Sequence, residues 1–133
     1  MNILLNPYLH FDGNCEEAMN FYKSVLGGEL TLSKFGDIPE NGEDPAKIMH
    51  SELKTDSFSV MASDGGKQPM NSKSFSLSLN GEDGETLRKY FDGLADGGKV
   101  TMPVAKQPWG AEFGMLQDKF GVDWMVNITS VKK

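Results

Sequence analysis

Cysteine is nearly absent from this chain. Cys15 stands alone in 133 residues, so no disulfide can close within it, and a reducing, cytoplasmic setting is expected. Histidine is scarce too, with only His10 and His50 available for imidazole chemistry. Basic charge is thin: 13 Lys and Arg face 19 Asp and Glu, a formal net charge of −6. No basic cluster exists to displace phosphate counterions, which argues against nucleic acid and anionic membranes as partners. The terminal Lys132-Lys133 reads as a solvated tail. Long apolar runs are missing, and the opening MNILLNPYLHFDG has no basic n-region, so it reads as neither a signal peptide nor a membrane span. There is no G-x-G-x-x-G. The glycine pairs Gly27-Gly28, Gly65-Gly66 and Gly97-Gly98 read as helix ends and loop hinges.

What the chain does have is a repeat. YLHFDGNCEEAMNFYKSVL, from Tyr8 to Leu26, aligns without a gap on SLSLNGEDGETLRKYFDGL, from Ser76 to Leu94. Leu9 falls on Leu77, Phe11 on Leu79, Gly13 on Gly81, Met19 on Leu87, Tyr22 on Tyr90 and Leu26 on Leu94. Each copy is a short apolar strand, a Gly-containing turn and an amphipathic helix, and such self-similarity governs the fold. The pattern predicts strand–helix–strand–strand–strand, twice. Module one spans 1–64, a linker 65–72 and module two 73–133 of a single domain.

In module one the reading is a strand over Asn2–Phe11 with Pro7 near its start, then a helix over Cys15–Leu26 capped by Asn14. Strands follow at Glu29–Lys34, Ile48–Lys54 and Ser57–Ser63, with a polar Gly/Pro-rich loop at 36–45. Module two repeats the order: strand Ser74–Leu79, helix Glu82–Leu94, and strands Gly98–Met102, Ala111–Gln117 and Val122–Ile128.

Three stretches, NPYLHFDGNCEEAMNFYKSVLGGEL, IMHSELKTDSFSVMASD and PWGAEFGMLQDKFGVDWMVN, together with the repeated topology, resemble the vicinal oxygen chelate superfamily, the glyoxalase/bleomycin-resistance fold. Within it they look most like the PhnB-like branch, whose members carry the label "3-demethylubiquinone methyltransferase-like". The resemblance spans essentially the whole chain. It implies an α+β fold in which two βαβββ modules form a curved mixed sheet around a cavity. It also implies homodimers. The methyltransferase label does not suit the residues, because neither a glycine-rich dinucleotide turn nor a run of parallel βαβ units is present.

In metal-using members of that superfamily the ligands come from the first and last strand of each module. The positions that match here are Asn6, Met61, Ser74 and Met125. An amide, a hydroxyl and two thioethers suit a hard or borderline divalent ion poorly, so no metal cofactor is expected. A divalent ion remains the alternative, recruited by His10, His50, Glu52 and Asp123. Strand alternation puts Asn6, Tyr8 and His10 on the cavity side of the first strand and Ser74, Ser76 and Ser78 on that of its counterpart, with Ser59, Met61 and Ser63, and Asp123, Met125 and Asn127, on the cavity side of the last strands. It sends Pro7, Leu9, Phe11, Phe75, Leu77 and Leu79 under the helices.

Each candidate has a plainer reading beside the functional one. His50 and Glu52 form an H-x-E on one strand face, either a base pair or the wet side of a strand. His10 is a ligand contact or a hydrogen-bonded structural histidine. Tyr8 donates to a bound oxygen or simply packs its ring. Asp123 is a base or faces water. Trp109 is an aromatic wall over a flat ligand or a plug where a loop enters a strand. Cys15, at a helix N-terminus, has the setting of an activated thiol but no nearby partner, and reads as structural.

Three function classes follow. One is a metal-independent small-molecule binding protein, with a cavity mixing Ser, Asn, Met and Tyr. The second is a metal-dependent lyase, isomerase or dioxygenase-type enzyme acting on vicinal oxygens. The third is a protein–protein module with exposed apolar patches. The missing ligands favour the first.

Overall fold

The computed structural model describes residues 3–35, 46–65, 70 and 74–129. The element order is β1 (Tyr8–His10), α1 (Cys15–Leu26), β2 (Glu29–Lys34), β3 (Ile48–Lys54), β4 (Ser59–Ser63), β5 (Leu77–Gly81), α2 (Gly84–Ala95), β6 (Lys99–Lys106), β7 (Glu112–Gln117) and β8 (Asp123–Ile128). The expected order is therefore observed twice, in an α+β fold. The chain divides into two compact units, Met1–Met70 and Asn71–Lys133.

Unit one holds a four-stranded mixed sheet in the order β1-β4-β3-β2, with β1 parallel to β4 and the other pairs antiparallel. Its helix α1 packs on one face. Alternation explains the burial: Leu9, Phe11, Val60 and Ala62 lie under the helix with Leu53 and the helix's own Ala18, Met19 and Tyr22. Ser51 is also sealed there, and its hydroxyl donates to the Ala62 carbonyl at 2.7 Å. Unit two repeats the plan in the order β5-β8-β7-β6. Leu87, Phe91 and Leu94 of α2 meet Leu116, Trp124 and Val126.

The helix starts differ. Asn14 occupies the N-cap of α1 but makes no side-chain cap bond. The first-turn donors are met instead by Asp64, immediately after β4: its Oδ1 accepts from the Gly13 and Cys15 amides at 2.8 and 3.0 Å, and its Oδ2 from the Ile48 amide at 2.8 Å. In α2 the cap is local. Asp83 accepts from the Thr86 amide and hydroxyl, which holds its carboxyl below the usual range.

The glycine doublets have a shared cause. A side chain on Gly28 would collide with the Lys54 carbonyl, and one on Gly98 with the Gln117 carbonyl. In each unit the chain enters the second strand hard against the end of the third, and only glycine fits.

The sequence expectations need several corrections. β1 is confined to Tyr8–His10, so Asn6 precedes the strand. β5 starts at Leu77, so Ser74 and Ser76 also precede theirs, and Phe75 is 56% exposed instead of lying under the helix. α2 starts at Gly84, and β6 runs on to Lys106. The expected loop at 36–45 and most of the linker at 65–72 lie outside the described residues.

Cys15 is fully buried beside Ser51, whose hydroxyl lies 3.6 Å from its sulfur. Burial, with Asp64 and Glu16 adding to it, pushes the thiol from 9.0 up to about 11 against the opposing Ser51 bond. The folded chain thus holds this proton more tightly than the unfolded chain. Its contribution is complete below pH 9 and is lost as pH rises towards 11, amounting to about 2–3 kcal/mol at about 1.4 kcal/mol per pH unit. Urea titrations across that window should show a steeper fall in stability for the natural chain than for Cys15→Ala. In the folded state Cys15 should not react with iodoacetamide at pH 7.5.

Candidate functional site

In unit one the sheet face turned away from α1 carries the polar rings. Tyr8 and His10, two residues apart on β1, stand on this face with ring centroids 5.1 Å apart. Tyr8 reaches over β4 to β3, where its hydroxyl lies 3.2 Å from His50 Nδ1 and the ring centroids are 5.8 Å apart. The His50 tautomer sets which of the two groups donates: the phenol donates to Nδ1 when the imidazole proton is on Nε2. All three rings are exposed, Tyr8 to 40%. Met61 pairs with Tyr8 on one side and Glu52 on the other, which places Glu52 on the same face as His50. Of the sequence candidates in this unit, Tyr8, His10, His50, Glu52 and Met61 therefore share one face, and Asn6 lies just ahead of it. Ser63, the register partner of His10, belongs with them, on the side that alternation along β4 expects.

In unit two the corresponding face holds Asp123 and Met125 on β8. The register pairs Met125 with Ser78, as Met61 pairs with Tyr8. Ser78, not Ser76, stands where Tyr8 stands, so the gapless repeat is displaced along the strand. Ser78 donates to Asn80 Oδ1 at 2.9 Å. Met115 and Phe113 on β7 and Met102 on β6 complete the face. Strict alternation along EFGMLQ points to Phe113 and Met115. Trp109 is 65% exposed and meets Phe113 edge to face at 6.3 Å, so it is no buried plug.

Four positions match the superfamily's ligand positions. Met61 and Met125 bring thioethers, and Asn6 and Ser74 precede their strands. Among the described residues no three His, Cys, Asp or Glu side chains group so as to hold an ion. Among them, too, no helix is long and apolar enough to cross a membrane.

The family model described as 3-demethylubiquinone-9 3-methyltransferase matches residues 4–127. Protein YjdN of Escherichia coli is 35% identical, with 93% of this chain and 94% of that protein covered. The crystal structure of protein PA1353 from Pseudomonas aeruginosa superposes with a TM-score of 0.86 at 42% identity, covering 98% of this chain and all of that one. A putative 3-demethylubiquinone-9 3-methyltransferase, the PhnB protein of Bacillus cereus, gives a TM-score of 0.77 at 28% identity over 96% of this chain and all of its own. Glyoxalase/bleomycin-resistance/dioxygenase structures at 15% and 12% identity share the fold. The chain therefore belongs to the family described as 3-demethylubiquinone-9 3-methyltransferase, and it has the fold of the glyoxalase/bleomycin-resistance structures.

Proposed function

We propose that this chain binds a small organic molecule without a divalent ion, on the sheet face that carries Tyr8, His10 and His50, and that it does not transfer methyl groups. The observation that carries the reading is the Tyr8–His50 hydrogen bond on an exposed face, with the His10 ring tilted against Tyr8 beside it. Aromatic rings with polar tips give a ligand both apolar area and directed hydrogen bonds. Glu52 adds an acceptor, and Met61 an adaptable apolar contact. The absence of a glycine-rich dinucleotide turn supports the exclusion of methyl transfer. A cytoplasmic homodimer completes the reading. The exposed Ile3, Leu4 and Leu5 beside β1 support the dimer, and light scattering giving a monomer mass would refute it.

The test is thermal unfolding with a panel of small aromatic and polyoxygenated compounds, with and without a chelator. At least one compound should raise the melting temperature equally in both conditions. Tyr8→Phe and His50→Gln should each weaken that compound about tenfold, the value of one hydrogen bond of about 1.4 kcal/mol. S-adenosylmethionine should give no shift. If Zn²⁺, Ni²⁺, Mn²⁺ or Fe²⁺ copurifies near stoichiometry or stabilises instead, the reading is overturned in favour of a metal-dependent enzyme acting on vicinal oxygens. A response to neither would leave binding of small molecules without support and reject it.

A further inference from the structure

The face of the second sheet holds an arrangement that the ligand reading does not use. Met115 on β7 opposes Met125 on β8 in unbroken register, and Met102 on β6 pairs with Met115 where the β6 register shifts on either side of it, so three thioethers run across three adjacent strands. Met102 is 40% exposed, and Met115 and Met125 are half-buried, so the row lies at the surface rather than in the core under α2. We infer that this row binds a soft monovalent ion, Cu(I) or Ag(I), through the three sulfurs.

Strand spacing sets the geometry. Adjacent strands lie about 4.8 Å apart, so directly opposed side chains start within reach of one another. Met has three rotatable bonds, and the two outer thioethers can lean inward over Met115 while the backbone stays fixed. A metal–sulfur bond of about 2.3 Å then lets one ion touch all three. Thioether is a poor donor for the hard and borderline divalent ions weighed above, and a good one for Cu(I). The surroundings favour a single positive charge. Asp123 lies on the same face, two residues before Met125, and supplies a carboxylate. Phe113, two residues before Met115 on β7, shares the face and meets Trp109 edge to face. Unit one has no such row, because Met61 is flanked there by Tyr8 and Glu52.

The full chain should be titrated anaerobically with Cu(I) against a chromophoric Cu(I) chelator, and with Ag(I) by native mass spectrometry. One ion per chain should bind. Met115→Leu should weaken binding about tenfold or more, and Met102→Leu and Met125→Leu likewise. Met61→Leu and Cys15→Ser should change it less than about twofold. With the natural chain labelled at its methionine methyl groups, sub-stoichiometric Ag(I) should shift the signals of Met102, Met115 and Met125 and leave Met19, Met49 and Met61 in place. This readout needs no variant to fold. Absence of binding, binding that survives all three leucine variants, or binding abolished by Cys15→Ser would overturn the inference.

Discussion

Replacing Trp124 by alanine should cost about 5 kcal/mol, enough to unfold unit two in mild urea. Trp124 is the largest fully buried side chain, 2% exposed in the layer between α2 and the sheet. Its removal leaves a cavity that neighbouring strands, held in register, cannot close. A second cost adds to the first. The indole Nε1–H donates to Asp118 Oδ2 at 2.8 Å, while Asp118 Oδ1 accepts from the Phe120 and Val122 amides at 2.8 and 3.1 Å. This carboxylate, 3% exposed, fixes the β7–β8 turn and anchors the tryptophan to it. Trp124→Phe separates the two costs, because a ring remains while Asp118 loses the indole N–H bond. It should cost about 1–3 kcal/mol. Urea unfolding followed by circular dichroism reads both variants, and hydrogen exchange should place the loss of protection in β7 and β8. An alanine variant as stable as the natural chain would refute the account.

Asp64→Ala should cost about 3–5 kcal/mol and act on unit one. One carboxylate accepts three backbone N–H bonds, from Gly13, Cys15 and Ile48, and its own amide donates to the Ile48 carbonyl at 2.8 Å. Removing it orphans three donors in a place water reaches poorly, since Asp64 is 6% exposed. Asp64→Asn keeps the shape but offers one acceptor oxygen instead of two, and turns an amide N–H₂ towards a backbone N–H. It should fall between alanine and the natural residue. Hydrogen exchange at the amides of Gly13, Cys15 and Ile48 should accelerate in both variants. Unchanged exchange there would show that the contacts contribute nothing.

Much of this was legible in the sequence, and the failures share a cause. The bounds of α1, β2 and β3 follow from local periodicity and glycine punctuation, and the buried sides of β1, β4 and β8 follow from alternation. Asn6, Ser74 and Ser76 precede their strands, and Phe75 is exposed, because alternation applies only where a ladder exists and the ladders start at Tyr8 and Leu77. Asn14 has the residue type of a cap, but the donors it would serve are taken by a carboxylate far along the chain. Asp118 has the residue type of an ordinary turn, and its indole partner reaches it only after β8 folds back. The row of Tyr8, Met61 and Glu52 was within reach, since H-x-E and strand alternation put these side chains on one face. The hydrogen bond that joins Tyr8 to His50 crosses two strands, and no local pattern encodes it.

The long reach of Asp64 sets an order of events. The first turn of α1 has its donors met by a residue about fifty positions further on, whereas α2 has Asp83 at its own threshold. Contacts of high sequence separation form late, because the intervening chain must first be closed into a loop. Helix α2 can begin as soon as its own residues are free, but the start of α1 stays frayed until β4 docks and delivers Asp64. In a chain emerging from the ribosome, unit one therefore completes its first helix with its last strand.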